Sequence, residues 1–159
     1  MSIVIIEGAD GTGKTRYARA LAKDNKAGYQ HKNKPTRDTW LDEYVTPFDR
    51  FAGRPVVCDR WHVGEMIWPV LFQRASLFAD RADYEKCCQV LAGMNARVEI
   101  LYRDPSDIKV TLTKRGEIDQ LDTVLRSQDM FLELASITSH HMPVRVVDSN
   151  HIYEERGWR

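Results

Sequence analysis

Residues 8–15 read Gly8-Ala9-Asp10-Gly11-Thr12-Gly13-Lys14-Thr15, directly after the apolar run Ile3-Val4-Ile5-Ile6 and Glu7. The pattern G-x-x-x-x-G-K-[ST] is complete, and it follows a strand and precedes a helix, as such a loop must. Glycine is needed because the loop turns backbone N–H groups inward around phosphate oxygens, a path that side chains obstruct. Lys14 brings a mobile positive charge to the β- and γ-phosphates, Thr15 offers a hydroxyl to Mg²⁺, and the helix starting there points its positive dipole end at the anion. The spacing therefore predicts an ATP cradle of Gly8, Gly11, Thr12, Gly13, Lys14 and Thr15. The bland alternative is a glycine-rich turn, and the strand, spacing, lysine and threonine together argue against it.

Such a loop belongs in an α/β sheet, and the rest of the chain agrees. Residues 3–6 are a mostly β-branched run of the kind buried on both faces of a parallel sheet. A helix is expected from Lys14, with Tyr17, Ala18, Leu21 and Ala22 on its inner face. A short strand is expected near Gly28–His31, followed by a basic loop, a short helix over 40–45 stopped or kinked at Pro47, and a second buried strand over 55–59. Residues 62–93 read as two helices broken near Pro69 and Asp80, with Gly93 as the stop. Ala96–Tyr102 is the next strand, helices follow Pro105 and span Leu121–Ser139, and Val144–Asp148 closes the pattern. Alternating strands and helices imply right-handed crossovers with helices on both faces. At 159 residues this is one domain.

Lys plus Arg equals Asp plus Glu, 23 against 23, so the chain has no net positive field to hold a nucleic-acid backbone without regard to sequence. A nucleic-acid partner is therefore not expected, although a local basic groove stays open. Cys58, Cys87 and Cys88 cannot all pair, which argues against a disulfide framework and for a reducing compartment. Nothing reads as a leader or a membrane span, so a cytoplasmic protein without a membrane partner is expected.

A nucleotide cradle of this kind needs a second acid near the metal, usually ending a neighbouring apolar strand. Val56-Val57-Cys58-Asp59 has that form, and Arg60 follows as a candidate for charge developing on transferred phosphate. A surface Asp-Arg pair is the alternative. Here the residues resemble a family. Residues 6–15 are similar to the thymidylate kinase spelling of the loop, with an acid before the first glycine and Asp10 after it. Asp59-Arg60-Trp61 resembles that family's Asp-Arg-aromatic motif, Lys114-Arg115-Gly116-Glu117-Ile118-Asp119 its Arg-Gly-x-x-Asp lid, and residues 131–135 the helix after the lid.

The resemblance implies a P-loop kinase fold: a three-layer α/β/α domain over 1–159 with a parallel five-stranded sheet and a short lid near 109–122. It implies a compact nucleoside monophosphate kinase using ATP and Mg²⁺, with Thr15 and Asp59 at the metal, Arg60 on phosphate and Asp10 on the sugar 3′-hydroxyl of the acceptor. A homodimer is also implied. The family's Arg-Glu-Pro-Gly-Gly-Thr segment is absent, with His31-Lys32-Asn33-Lys34-Pro35-Thr36-Arg37 in its place. Gln120 replaces the arginine after the lid aspartate, and Gly11 leaves no arginine inside the loop, so Lys114 and Arg115 carry the lid's positive charge.

A hydroxyl acceptor would call for a general base after the second strand. The chain offers Lys32, Lys34 and Arg37 there, with no carboxylate until Asp38, which suits an acceptor already bearing phosphate. The expected acceptor is a pyrimidine deoxynucleoside monophosphate, dTMP foremost. Arg37 and Arg50 are candidates to grip its phosphate, with ordinary solvation as the alternative. Trp61, Trp68, Phe48 and Phe72 lie on segments near the inferred pocket, and Trp61 is the favoured base face, with a core role as the alternative. Ser149-Asn150-His151 would approach adenine by resemblance, or simply cap a helix. Two other readings compete: a kinase of hydroxyl groups on nucleosides or DNA bases, and an ATP-binding regulatory protein.

Overall fold

The computed structural model describes residues 2–51 and 53–157. Strand β1 (Ile3–Gly8) is buried along its whole length and pairs in parallel with β3 (Val56–Asp59) on one side and β4 (Ala96–Tyr102) on the other. Strands β2 (Gly28–His31) and β5 (Val144–Asp148) complete a parallel five-stranded sheet in the order β2-β3-β1-β4-β5. The continuous apolar runs are explained by helices on both faces. Ile3, Ile5, Val56, Cys58, Val98 and Ile100 pack on the side of α4 (Arg81–Gly93) and α6 (Leu121–Ser139), against Phe48, Tyr84 and Phe131. Val4, Ile6, Val57, Leu101 and Val147 face the other way, onto Tyr17, Ala18 and Ala22 of α1 (Lys14–Asp24) and Ile152 of a terminal helix at Ser149–Glu155.

Because every strand runs the same way, all their carboxyl ends meet at one edge. From β1 the chain goes to the β2–β3 side, and from β4 to β5, so the loops leaving β1 and β4 diverge over a crevice of the kind that binds ligands in open α/β sheets.

Residues 62–93 depart from the expected two helices. They form a 3₁₀ turn at Val63–Met66, a short α3 (Trp68–Phe72), an irregular stretch, and then α4. Pro69 opens α3 instead of breaking a helix, since the first turn does not need its missing N–H. Gln73, in the left-handed region at φ 50°, ends α3. Asp80 caps α4 by accepting from the Asp83 amide, and Asn95, not Gly93, takes the left-handed position beyond it. Pro47 lies in a 3₁₀ turn at Thr46–Phe51 that continues from a short helix α2 (Trp40–Tyr44). The segment expected as a lid comprises the end of α5 (Pro105–Arg115), a left-handed Gly116 and a 3₁₀ turn at Ile118–Gln120 leading into α6. The terminal helix, α7 (Ser149–Glu155), is capped by the Asp148 side chain. No helix among the described residues is long and apolar enough to cross a membrane, and Cys58, Cys87 and Cys88 are buried free thiols.

Candidate active site

The loop after β1 has the strained path its glycines anticipate. Gly8 sits at φ 139°, where a Cβ would lie 2.5 Å from the Leu101 carbonyl oxygen of β4, and Gly13 at φ 86°, where a Cβ would strike the Tyr153 hydroxyl. The Thr12 hydroxyl donates to the Ala9 carbonyl at 2.8 Å, and the Lys14 ammonium donates to the same carbonyl at 2.5 Å and lies 3.4 Å from Asp10 Oδ1. Burial pushes the Lys14 pKa down, while Asp10, Asp59 and Glu7 pull the other way. Lys14 and Thr15 open α1 beneath a trough of about 510 Å³, lined also by Arg16, Arg19, Arg60, Arg115 and Tyr153. Its cationic lining suits a polyphosphate.

Asp59 ends β3 level with Ile6 of β1 and His31 of β2. Its Oδ2 accepts from the Tyr29 hydroxyl at 2.8 Å and lies 2.8 Å from His31 Nδ1. Burial alone would raise the carboxyl, but hydrogen bonds from Thr15, His31 and Tyr29 outweigh it and hold the group below its ordinary range. Oδ1 is buried without a hydrogen-bond partner. An ionised, largely buried carboxylate that also interacts with the Thr15 hydroxyl is a donor set that suits Mg²⁺ held through oxygen and water. Thr15 and Asp59 are the residues that would hold it.

A second cavity, of about 290 Å³, opens on the other side of the loop. Asp10 and Arg60 line both spaces. Arg60 Nη2 donates to Asp10 Oδ1 at 2.6 Å. Burial would raise Asp10, but Lys14 and Arg60 hold it low, so it is a carboxylate at the junction. The floor is Glu7, whose Oε1 accepts from the amides of Trp61 (2.8 Å), Val63 (3.1 Å) and Gly64 (3.4 Å). Burial raises its pKa to about 7 despite those amides and the nearby Lys14 and Arg60.

The far wall pairs Trp68 with Phe72, stacked at 5.8 Å and 16°. Phe72 is 62% exposed, a rare position for a large apolar ring without a partner. Beside them the buried Glu65 grips Arg74 through two hydrogen bonds, Nη1 to Oε1 at 2.9 Å and Nη2 to Oε2 at 2.7 Å. Nη1 also donates to the Ala75 carbonyl, so the guanidinium is fixed in plane at the cavity wall.

Other expected residues fall elsewhere. Trp61 borders the cavity but is only 3% exposed: its indole N–H donates to the Tyr44 carbonyl, and the Lys32 ammonium lies 4.9 Å over its ring. The core alternative describes it better, and the exposed aromatic surface is that of Trp68 and Phe72. Arg37 and Arg50 line a depression with Asp38 and Asp42, away from the phosphate loop, and Arg37 also borders a small depression with Lys34, Glu65 and Arg74, which line the second cavity as well. Glu43, buried under the 32–37 segment, accepts from the Thr36 and Arg37 amides and pairs with Lys32, which fixes that course. Lys34 instead reaches the second cavity. Arg115 borders the trough near Asp10, whereas Lys114 lines a neighbouring groove with Arg103, Asn150 and Tyr153.

Sequence reasoning passed over Glu7, Tyr29, His31, Glu65 and Arg74. Glu7 carried a signal, an acid inside a strand that burial on both faces would otherwise forbid. His31 became visible only through its register with Asp59, and Glu65 and Arg74 are joined around the short helix α3, a pairing that no periodicity marks.

Neither the known family models nor the curated protein sequences contain a match to the chain. Solved structures do resemble it. The YorR protein of Bacillus subtilis, determined in complex with phosphorylated GDP, is 22% identical, with 94% of this chain and 86% of that one covered at a TM-score of 0.68. The fold is that of the P-loop kinases. Deoxyadenosine kinase from M. mycoides with the products dCMP and dCDP is 15% identical, covering 93% and 91% at a TM-score of 0.54. Thymidylate kinase from Candida albicans is 13% identical, covering 96% and 89% at a TM-score of 0.52.

Proposed function

We propose that the chain transfers the γ-phosphoryl group of ATP to the 5′-phosphate of a deoxynucleoside monophosphate, a pyrimidine such as dTMP, and releases ADP. The observation that carries this reading is the junction at Asp10 and Arg60, where a polyphosphate trough and a second cavity with aromatic walls share a border. A donor in one and an acceptor in the other bring their phosphates together there. Nucleotide-binding proteins among the structures of the same fold are consistent with it.

In the step, an oxygen of the acceptor phosphate bonds to the γ-phosphorus as the bond to the β–γ bridging oxygen breaks, and ADP carries that electron pair away. A phosphate dianion needs no general base, so alignment and charge neutralisation suffice. Lys14 serves the β- and γ-phosphates, Arg115 approaches from the lid segment, and Arg60 and Lys34 face the acceptor phosphate. Bound Mg²⁺ supplies further charge neutralisation at the phosphates, with Thr15 and Asp59 to hold it. Asp10 is open enough, at 39% side-chain exposure, to accept from a sugar hydroxyl while it holds Arg60. Trp68 and Phe72 offer the base a face, and the Arg74 fork presents donors to a carbonyl edge.

The test is ADP release measured with ATP and a panel of nucleosides and nucleoside monophosphates. Turnover with a deoxypyrimidine monophosphate is expected. Turnover with free nucleosides alone would move the acceptor to a hydroxyl group, and ATP binding without turnover on any acceptor would favour a regulatory role.

A further inference from the structure

Arg60 occupies a backbone position that an arginine does not take freely. Its φ is 65°, in the left-handed region that favours glycine, immediately after β3 ends at Asp59. On one side the conformation is held by the Arg60 amide, which donates to the Ile6 carbonyl at 2.9 Å. On the other, three of the next four amides, those of Trp61, Val63 and Gly64, converge on one oxygen of Glu7. Glu7 is 1% exposed and belongs to the central strand of the sheet, which is buried along its whole length. The left-handed turn swings the Arg60 side chain back over the phosphate loop, to 2.6 Å from Asp10.

We infer that Glu7 is a positioning residue that acts through Arg60, fixing the turn after β3 so that the guanidinium stands at the junction of the two cavities. Its catalytic consequence rests on the kinase reading above, while the geometry does not. Replacing Glu7 with alanine frees three amides and lets residue 60 relax toward ordinary backbone, withdrawing the guanidinium. Glutamine keeps one carbonyl oxygen to collect the amides and so preserves the turn. A residue acting as a base on the acceptor would behave differently, because glutamine cannot take a proton.

The experiment compares Glu7→Ala and Glu7→Gln by crystallography, ATP affinity and steady-state kinetics. In Glu7→Gln the Arg60–Asp10 pair is expected to persist and most activity to return. In Glu7→Ala the pair should open and kcat should fall roughly 100-fold, with ATP affinity changed less than about threefold. Adding Arg60→Ala to Glu7→Ala should cost little more. If Glu7→Ala does not fold, Glu7→Ala with Arg60→Gly should, since glycine takes φ 65° without strain. An Arg60–Asp10 pair intact in Glu7→Ala, additive losses in the double variant, or Glu7→Gln as inactive as Glu7→Ala would each overturn the inference. Absence of transfer in the unaltered protein would count against the kinase reading alone, and the crystal structures would still decide the position of Arg60.

Discussion

The two halves of the site are built by different means. The donor side is made of consecutive residues: one loop, one helix start and one facing carboxylate, with backbone amides supplying the recognition. The acceptor side draws on β1, the loop after β2, α2, the turn after β3 and the irregular stretch after α3, and its recognition rests on side chains that meet only in the fold. The first arrangement is tied to its sequence spelling because phosphate geometry does not vary. The second is free to change with the acceptor, which explains why the donor side matches a pattern and the acceptor side matches none.

The largest expected effect breaks the donor side outright. Lys14→Ala should lower transfer by at least about 10²–10³-fold on every acceptor, because it removes a buried cation that the proposed reading puts at the transferred group. Measuring kcat with saturating acceptor checks this, and a loss confined to one acceptor would show that the two halves are not separable as described. Arg74→Lys tests the other half. It keeps the charge that Glu65 requires but loses the planar fork, so the KM for the acceptor should rise about tenfold while the KM for ATP stays within about twofold. An equal rise in both would remove Arg74 from the acceptor side.

Glu7 sharpens the comparison through pH. Its carboxyl is raised to about 7 from 4.5, so the folded state holds the proton more tightly than the unfolded state. Its contribution to stability is therefore greatest below about pH 4.5 and is lost as pH rises through about 7, an effect of about 3 kcal/mol. Lys14 and Arg60 face the same group and already temper its rise. Glu7→Gln cannot titrate, and its Tm relative to the unaltered protein should climb between about pH 5 and pH 8. A constant difference across that range would contradict the assignment. The smallest effect belongs to Arg50→Ala, which should change the acceptor KM by less than about twofold, since Arg50 lines a depression apart from the junction.

These contrasts also mark what the sequence could disclose. The sheet was legible because residues 3–6 and 56–58 are apolar runs that fit a doubly covered parallel strand, and 96–102 keeps Val98, Ile100 and Leu101 despite Arg97 and Glu99. Gly8–Thr15 and Asp59-Arg60 stood out because their spacing is the one that the proposed binding of phosphate and metal requires. Trp61 was not: an aromatic after Asp-Arg can face a base or the core, and the Tyr44 carbonyl and Lys32 ammonium that draw it inward come from distant segments. The course of the Arg37 loop was hidden for a similar reason, since the buried Glu43 fixes it by accepting from the Arg37 amide. Arg74 depends on Glu65 across the short helix α3, a pairing that only the folded chain reveals.

The central claim is that donor and acceptor phosphates meet at Asp10 and Arg60. It is tested most directly by calorimetric titration with a bisubstrate compound, adenosine and thymidine joined 5′ to 5′ through five phosphates. Tethering the two ligands should make it bind at least about 100-fold tighter than ATP or dTMP alone, at one per chain, with most of the gain lost in Arg60→Ala. Binding no tighter than ATP, or unchanged in Arg60→Ala, would contradict a site in which the two cavities share that junction.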